Sequence, residues 1–407
     1  MIKRYVFGTP LETDAVLNKP AACRDKPPYL GKCENALIYK MDEEDIVYGL
    51  GENVRGMNKR GWIYESNCTD DPVHLEETKS LYGAHNFILV SGEKQFGLFL
   101  DTPGKVVFDI GYTNSSQLKI TLEDGDYELY LIDGGTPDDI ITWFRELIGP
   151  SYLPPKWAFG FGQSRWSYAS SEEVRKVAAR YRENHIPLDS IYLDIDYMER
   201  YKDFTIDREA FPDFEQLAED MKQQGIHLVP IIDGGVKIED GYDVYEEGVK
   251  NGFFCKDEDG DDFVVGVWPG KCHFPDMLDE KARAWFGDKY KFLLDKGIEG
   301  FWNDMNEPAI FYSEKRLKKE FEKLEEYRKM NLDVNTFFEF QDLVSTISKN
   351  PEDYRSFYHT YKGKRIRHDK VHNLFGYFMT RSAGEAFERL EPDKRILMFS
   401  RASYIGM

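Results

Sequence analysis

The chain has 407 residues, 41 % of them hydrophobic and 15 % aromatic, which is enough for two or three domains with sizeable cores. Its formal net charge of −20 argues against nucleic acid and against an anionic membrane as partners, and it favours a neutral or cationic ligand. The aromatic excess suits sugar binding, although large β-rich cores are aromatic as well.

The five cysteines are odd in number and no CxxC motif occurs, so we expect free thiols in a reducing compartment rather than disulfides or a zinc site. The first residues lack the apolar segment of a signal peptide, and no long apolar stretch follows. A cytoplasmic location is therefore expected, with neither a cofactor nor a resident metal.

Residues 1–135 predict a β-sandwich. Short apolar or alternating runs recur there, separated by turn residues, at 36–39, 46–50, 87–90, 96–100, 105–110 and 127–132. Residues 136–156 predict a helical linker. Its helix begins with Thr136 as N-cap and Pro137 in the first turn, and Pro154-Pro155 marks the boundary that follows.

From Trp157 to Met407 strands and helices alternate, which indicates a parallel sheet, either doubly wound or a barrel. The predicted strands are 158–162, 190–196, 228–233, 300–304 and 395–401, and the predicted helices are 170–184, 214–224, 279–296 and 371–390. Two insertions interrupt this order, a first insertion at 234–278 and a second insertion at 306–370. The second insertion contains a charged helix near 313–329, to which we assign no chemistry.

Each predicted strand of this part ends in polar or aromatic residues. The ends are Gln163-Ser164-Arg165-Trp166, Asp194-Ile195-Asp196-Tyr197-Met198, Asp233, Asp304 and Arg401. Such residues at the carboxyl ends of parallel strands are typical of the catalytic face of a barrel. For Asp304 alone, an alternative is an N-cap of a helix with Pro308 in its first turn.

Carboxylates ringed by aromatic side chains, without a metal motif, point to glycoside hydrolysis, which places one carboxylate on each side of the scissile bond. His368 and His372 are four residues apart with no Glu beside them. A zinc pair is conceivable there, but a structural role is favoured.

Several segments then resemble glycoside hydrolase family 31, in the branch that contains α-glucosidases. They are Trp302-Asn303-Asp304-Met305-Asn306-Glu307, Asp194-Ile195-Asp196-Tyr197-Met198, Trp268-Pro269-Gly270, Val371-His372-Asn373-Leu374 and Ser400-Arg401-Ala402-Ser403. The chain most resembles intracellular enzymes of gut Firmicutes. The resemblance implies an N-terminal β-sandwich followed by a (β/α)8 TIM-type barrel.

The resemblance also implies roles for individual residues. Asp304 would be the nucleophile, Asp194 would bind distal sugar hydroxyls with Ile195 beside it, and Arg401 would bind hydroxyls and keep the nucleophile ionised. Trp302, Met305 and Trp268 would form the pocket wall, with Trp166 near its mouth. Asp70, in a loop of the β domain, would reach over the pocket, while an ordinary Asx turn is the alternative for this residue.

The implied reaction is retaining hydrolysis of α-glucosidic bonds at non-reducing ends of small oligosaccharides of the isomaltose or maltose type. A family transglucosylase, α-xylosidase or α-glucan lyase and a non-catalytic glucan-binding remnant are the alternatives. Met305-Asn306-Glu307 favours a glucosidase, because α-xylosidases of the family tend to carry a Lys-Thr-Asp-Phe-Gly-Glu type of segment.

The family's acid/base carboxylate lies after the fifth strand, beyond Arg401 and the last residues of this sequence. We therefore expect a barrel truncated after about five strands, with the acid/base outside the chain. Such a protein would aggregate, would be inactive alone, or would be completed by a separate C-terminal segment. As partners we expect a small oligosaccharide substrate and either a homo-oligomer or the missing C-terminal segment.

Overall fold

The computed structural model describes residues 1–406, which form two compact units. The first unit comprises Met1–Tyr152, Asp369–Tyr377 and the residues from Arg401 onward. The second comprises Leu153–His368 and Phe378–Ser400. Among the described residues, no helix combines the length and the apolar character needed to cross a membrane.

The strands, in chain order, are β1 (Ile2–Phe7), β2 (Leu30–Cys33), β3 (Ala36–Lys40), β4 (Ile46–Gly49), β5 (Trp62–Ser66), β6 (Gly83–Ala84), β7 (Phe87–Ser91), β8 (Gln95–Asp101), β9 (Val106–Ile110), β10 (Gln117–Leu122), β11 (Tyr127–Asp133), β12 (Gly162–Gln163), β13 (Ser190–Leu193), β14 (His227–Asp233), β15 (Val236–Lys237), β16 (Lys256–Asp257), β17 (Val265–Val267), β18 (Gly270–His273), β19 (Gly300–Asp304), β20 (Tyr312–Ser313), β21 (Phe357–Tyr361), β22 (Lys364–Arg367), β23 (Leu397–Ser400) and β24 (Ser403–Tyr404). The α-helices are α1 (Pro137–Ile148), α2 (Ser171–Glu183), α3 (Phe214–Gln223), α4 (Asp243–Asn251), α5 (Glu280–Lys289), α6 (Lys291–Leu294), α7 (Glu314–Tyr327), α8 (Val334–Ser345) and α9 (Phe375–Leu390).

The first unit is a sandwich of two antiparallel sheets, which confirms the fold predicted for the N-terminal part. One sheet has the order β1-β11-β8-β7-β4 and the other β2-β3-β10-β9-β5. Strand β10 alternates, with Leu118, Ile120 and Leu122 buried in the shared core. This alternation is what a strand with one buried face requires.

Strand β8 has no solvent-facing side, because α1 covers the outer face of its sheet. Phe96, Leu98 and Leu100 point into the sandwich core, while Phe99 packs with Phe144 of α1. Helix α1 begins as predicted at Thr136, whose side chain and that of Asp139 form a reciprocal capping box. The helix of the predicted linker thus contributes to the core of the first unit.

The second unit is built on a parallel sheet with the order β12-β13-β14-β19-β23. Strand β19 lies between β14 and β23, so both of its edges are hydrogen-bonded. The two insertions add small sheets, one of β15, β18, β17 and β20 and one of β16, β21 and β22. Strands of the first insertion therefore pair with strands of the second.

Three predicted boundaries in this unit are wrong. The apolar run at 158–162 is not a strand, because Lys156–Phe159 form a 3-10 turn directly after Pro155 and the first strand is β12. The second strand ends at Leu193, where Asp194 caps a 3-10 turn at Ile195–Tyr197. The helix expected at 279–296 is two helices, α5 and α6, separated at Tyr290.

Candidate active site

Strand β19 ends in Asp304, and the register of the sheet determines its neighbours. Asp304 pairs with Asp233 at the end of β14, and Asn303 pairs with Ser400 at the end of β23. The carboxyl ends of three adjacent parallel strands therefore meet at this edge, as the polar strand ends predict. Asp304 is only 9 % exposed, although it is a carboxylate.

The backbone turns sharply immediately after Asp304. Met305 has φ of 54°, and a turn follows in place of a helix. The alternative in which Asp304 caps a helix is therefore wrong. The amide of Asn306 donates to the hydroxyl of Ser400 at 3.0 Å, which ties the turn to the end of the neighbouring strand.

Two tryptophans expected in a pocket wall are positioned by hydrogen bonds. The indole N–H of Trp268 donates to the sulfur of Met305 at 3.2 Å, and the Trp268 ring meets Phe311 edge to face. The indole N–H of Trp302 donates to the carbonyl of Leu193 at 3.2 Å. The structure thus brings Trp268, Met305, Trp302 and Asp304 into one region at the end of β19.

Asp194 lies at the end of β13, and one of its carboxylate oxygens accepts the N–H of Ile195 at 2.8 Å. Burial raises the pKa of Asp194, an effect that the Ile195 N–H partly offsets by stabilising the charged form. The hydrogen bond fixes the orientation of the carboxyl group. Ile195 itself is buried, so its side chain belongs to the core and its backbone N–H serves this contact.

A second buried carboxyl group, Asp203, lies behind the strand ends and was missed from sequence. Its Oδ1 accepts the backbone N–H of Asp233 at 2.9 Å, and its own carbonyl accepts the hydroxyl of Tyr242 at 2.7 Å. Burial raises the pKa of Asp203 well above its ordinary value. No sequence signal marks it, because it lies in a loop between charged and apolar residues, far in sequence from Asp233.

The remaining predicted site residues are divided between the two units. Trp166 follows β12 in the second unit and is 74 % exposed, as a residue at a pocket mouth would be. Asp70 and Arg401 both belong to the first unit, where Arg401 Nη2 lies 3.7 Å from Asp70 Oδ1 and its guanidinium lies over the ring of Tyr82. The Asx-type hydrogen bond of this loop, to the N–H of Val73, is made by Asp71.

The two histidines considered as a zinc pair have separate partners. His372 Nε2 lies 2.7 Å from the carbonyl of Cys68, and burial lowers the pKa of His372 to about 4, so this ring is neutral. His368 Nδ1 lies 2.9 Å from Nε2 of His359. Each histidine therefore has the partner expected of a structural residue. All five cysteines are free thiols, as predicted.

Two family descriptions match the sequence. Residues 151–407 match the glycosyl hydrolases family 31 TIM-barrel domain, and residues 24–109 match the glycosyl hydrolase 31 N-terminal galactose mutarotase-like domain. The first match covers more than half of the chain and includes every strand of the parallel sheet.

The chain is similar to proteins named α-glucosidases. Alpha-glucosidase 2 of Bacillus thermoamyloliquefaciens is 37 % identical over 90 % of this chain and 42 % of its own length. The α-glucosidase of Saccharolobus solfataricus is 29 % identical over 90 % of this chain and 50 % of its own length. The chain thus spans half or less of the length of these relatives.

Solved structures show the same fold. A dextranase of Flavobacterium johnsoniae, complexed with glucose, superposes with a TM-score of 0.76 at 24 % identity over 93 % of this chain and 42 % of its own. A family 31 α-glucosidase of Bacteroides thetaiotaomicron superposes with a TM-score of 0.70 at 27 % identity over 90 % of this chain and 54 % of its own.

Proposed function

Since this chain belongs to glycosyl hydrolase family 31, we propose that it carries the nucleophile of a retaining α-glucosidase, with Asp304 as that nucleophile. The observation that carries the proposal is the placement of Asp304 at the end of β19, next to Met305 and Trp302 and opposite Asp233. A buried carboxylate at the carboxyl edge of a parallel sheet, beside tryptophan rings, is suited to attack a sugar ring packed on those rings.

In this reaction an oxygen of Asp304 forms a bond to the anomeric carbon while the glycosidic C–O bond breaks. The leaving oxygen takes a proton from a second carboxyl group, which in retaining enzymes lies about 5–5.5 Å from the nucleophile. Water then hydrolyses the β-linked glucosyl ester, and the sugar leaves with its original α configuration. We assign no residue of this chain to the acid/base role.

The proposed substrates are small α-glucosides of the isomaltose or maltose type, attacked at the non-reducing end. Asp194, oriented by the Ile195 N–H, is proposed to bind the distal hydroxyls of the sugar, and Asp70 and Arg401 to bind hydroxyls as well. Trp166 is proposed to lie at the mouth of the pocket. The α-glucosidase names of the relatives support this class of substrate. Cytoplasmic location, homo-oligomer formation and kinship with enzymes of gut Firmicutes stay predictions.

Covalent trapping tests the nucleophile directly. In 5-fluoro-α-D-glucopyranosyl fluoride the leaving group is fluoride, which departs without protonation, so labelling needs the nucleophile but not the acid/base carboxyl group. Incubation should add one fluoroglucosyl group to the chain, and peptide mass spectrometry should place it on Asp304. The variant Asp304→Asn should remain unlabelled. Asp295→Asn, which alters an exposed carboxylate paired with Lys291, is the matched control and should be labelled like the parent.

The outcomes separate the candidate functions. A label on another carboxylate would contradict the assignment of Asp304. An unlabelled chain that still binds isomaltose in calorimetric titration would favour the non-catalytic glucan-binding alternative. If Asp304 is labelled, the products that untreated protein forms from maltose and isomaltose distinguish hydrolysis from transfer and from lyase chemistry.

A further inference from the structure

Three buried side chains converge in the second unit, away from the residues assigned to catalysis. Cys255 and Asp276 come from the first insertion and His359 from β21 of the second insertion. The thiol sulfur, a carboxylate oxygen and an imidazole nitrogen all lie within 4.8 Å of one another. We propose that Cys255, Asp276 and His359 form a zinc site that fastens the two insertions to each other.

The geometry favours a metal over a catalytic triad. Cys255 Sγ lies 3.4 Å from Nδ1 of His359, and Asp276 Oδ1 lies 2.8 Å from the same nitrogen. In a triad the thiol and the carboxylate contact opposite nitrogens of the imidazole ring. Here both face Nδ1, so three potential ligand atoms surround one point.

The spacing is close to that of a tetrahedral zinc site. Zn–S bonds of about 2.3 Å and Zn–N or Zn–O bonds of about 2.0–2.1 Å place sulfur and nitrogen about 3.5 Å apart, and nitrogen and oxygen about 3.3 Å apart. The observed sulfur–nitrogen distance of 3.4 Å fits directly. The carboxylate, now 2.8 Å from Nδ1, has to retreat by roughly 0.5 Å when zinc replaces the proton between them.

Two of the three prospective ligands already have the outer partner that metal ligands require. Nε2 of His359 lies 2.9 Å from Nδ1 of His368, and Asp276 Oδ2 accepts the N–H of Thr360 at 2.6 Å. Such contacts fix the tautomer and the orientation of the side chains that bind a metal. The carbonyl of Pro275, 3.6 Å from Cys255 Sγ, is the neighbouring oxygen placed for a fourth contact.

Charge also favours a divalent ion. Zinc binding releases the thiol proton to solvent. The imidazole of His359 binds zinc through Nδ1 and carries its proton on Nε2, which donates to Nδ1 of His368, while the proton of the neutral His368 ring lies on its Nε2. One thiolate and one carboxylate cancel the charge of Zn²⁺, so the complex as a whole is neutral and tolerates burial. A mixed sulfur, nitrogen and oxygen set suits zinc better than magnesium or calcium.

The experiment measures the metal content of the full chain. The protein is expressed with zinc in the medium, and unbound metal is removed by gel filtration. Elemental mass spectrometry should find one zinc ion per chain in the parent protein. Cys255→Ser and Asp276→Asn should lower the zinc affinity by at least tenfold, and His368→Asn, which removes only an outer partner, by about 10–100-fold. Cys272→Ser, which alters a buried thiol outside the cluster, is the matched control and should keep the metal.

A second readout guards against variants that misfold. The parent is unfolded with a chelator and refolded with Co²⁺, whose visible bands report tetrahedral coordination and whose ultraviolet sulfur-to-metal band reports a thiolate ligand. This ultraviolet band should appear in the parent and in Cys272→Ser but not in Cys255→Ser. A parent chain that takes up neither zinc nor cobalt would overturn the proposal, as would undiminished zinc binding by Cys255→Ser. In either case the three side chains form a hydrogen-bonded network only.

Discussion

The indole of Trp268 and the sulfur of Met305 are 3.2 Å apart, which links the first insertion to the residue that follows Asp304. Trp268 lies between β17 and β18 and is 48 % exposed, so one part of its ring contacts protein and the other faces solvent. A half-exposed ring held at a defined angle beside a strand end is suited to pack against a sugar. The contact explains how a residue of an insertion takes a fixed place near Asp304.

The variant Trp268→Phe should weaken substrate binding more than it slows the reaction. It removes the N–H···S contact and part of the ring, at a cost of about 1 kcal/mol, which corresponds to a KM about fivefold higher with little change in kcat. Hydrolysis of an aryl α-glucoside by the active enzyme measures both constants. Trp285→Phe in α5 removes a comparable indole contact, to Glu247 of α4, and is the control. A fall in kcat with unchanged KM for Trp268→Phe would contradict a role in substrate binding.

Because of Asp101, the free energy of unfolding should fall as the pH rises through the acid range. Burial raises the pKa of Asp101 from 3.8 to about 6, despite hydroxyl donors from Thr13 and Tyr404. Between these values the unfolded chain loses its proton while the folded chain keeps it, so the free energy of unfolding falls with rising pH. A shift of about two units corresponds to about 3 kcal/mol.

Urea denaturation of the parent and of Asp101→Asn at several pH values measures this effect. The variant cannot ionise at this position. The free energy of unfolding of the variant minus that of the parent should therefore rise by about 3 kcal/mol from pH 4 to pH 7. His372, whose pKa is lowered to about 4, titrates equally in both proteins and cancels in the difference. A difference that does not change with pH would show that Asp101 has an ordinary pKa.

Two glycines of the second unit should respond oppositely to substitution by alanine. A Cβ at Gly287 in α5 would overlap the carbonyl oxygen of Ser382, which lies in the packed helix α9. Gly287→Ala should therefore destabilise the protein by about 1–3 kcal/mol. Gly384 in α9 has open space at its Cβ position, and Gly384→Ala should stabilise the helix by about 0.5–1 kcal/mol. Thermal denaturation of both variants tests the pair, and equal shifts would contradict close packing of α5 on α9.

Asp353 is a fully buried carboxylate in the second insertion, and it depends on Arg316. The guanidinium contacts both carboxylate oxygens, at 2.7 and 2.8 Å, and Ser313 donates its hydroxyl. Arg316→Met leaves the buried charge without its cation and should cost about 3–5 kcal/mol. Hydrogen exchange of the segments around 313–327 and 351–355 should become much faster, because the loss is local.

Arg328→Met is the control for this change, since it removes an exposed pair with Glu325. Exposed pairs contribute about 0–1 kcal/mol, so its exchange pattern should match that of the parent. Similar acceleration in both variants would indicate a general loosening of the insertion rather than dependence on the buried pair.

The sequence alone predicts those features that depend on local pattern. Strand β19 and its break at Asp304 follow from an apolar run that ends in carboxylates, and α1 follows from Thr136 and Pro137. The first strand of the parallel sheet was misplaced because the run at 158–162 is apolar without being buried. Phe159 and Phe161 are both exposed, and the preceding prolines start a 3-10 turn instead.

Sequence patterns do not predict contacts between segments that are far apart in the chain. Asp203 meets Asp233 across 30 positions, and Cys255 meets His359 across 104. Neither pair has a short spacing that a motif could reveal, and the absence of CxxC was taken to argue against a metal. That the strand ends share one edge of the sheet follows from parallel topology, whereas these two pairings depend on how a loop and the insertions pack in three dimensions.

The left-handed backbone of Met305 limits how this position can vary. A residue with φ of 54° disfavours side chains branched at Cβ, so valine, isoleucine and threonine would strain the turn that follows Asp304. Any remodelling of the neighbouring pocket wall by mutation is thereby restricted to unbranched side chains, asparagine, aspartate or glycine. The evolvability of substrate choice next to the proposed nucleophile is thus limited by a single backbone torsion, before any question of which side chain would suit a different sugar.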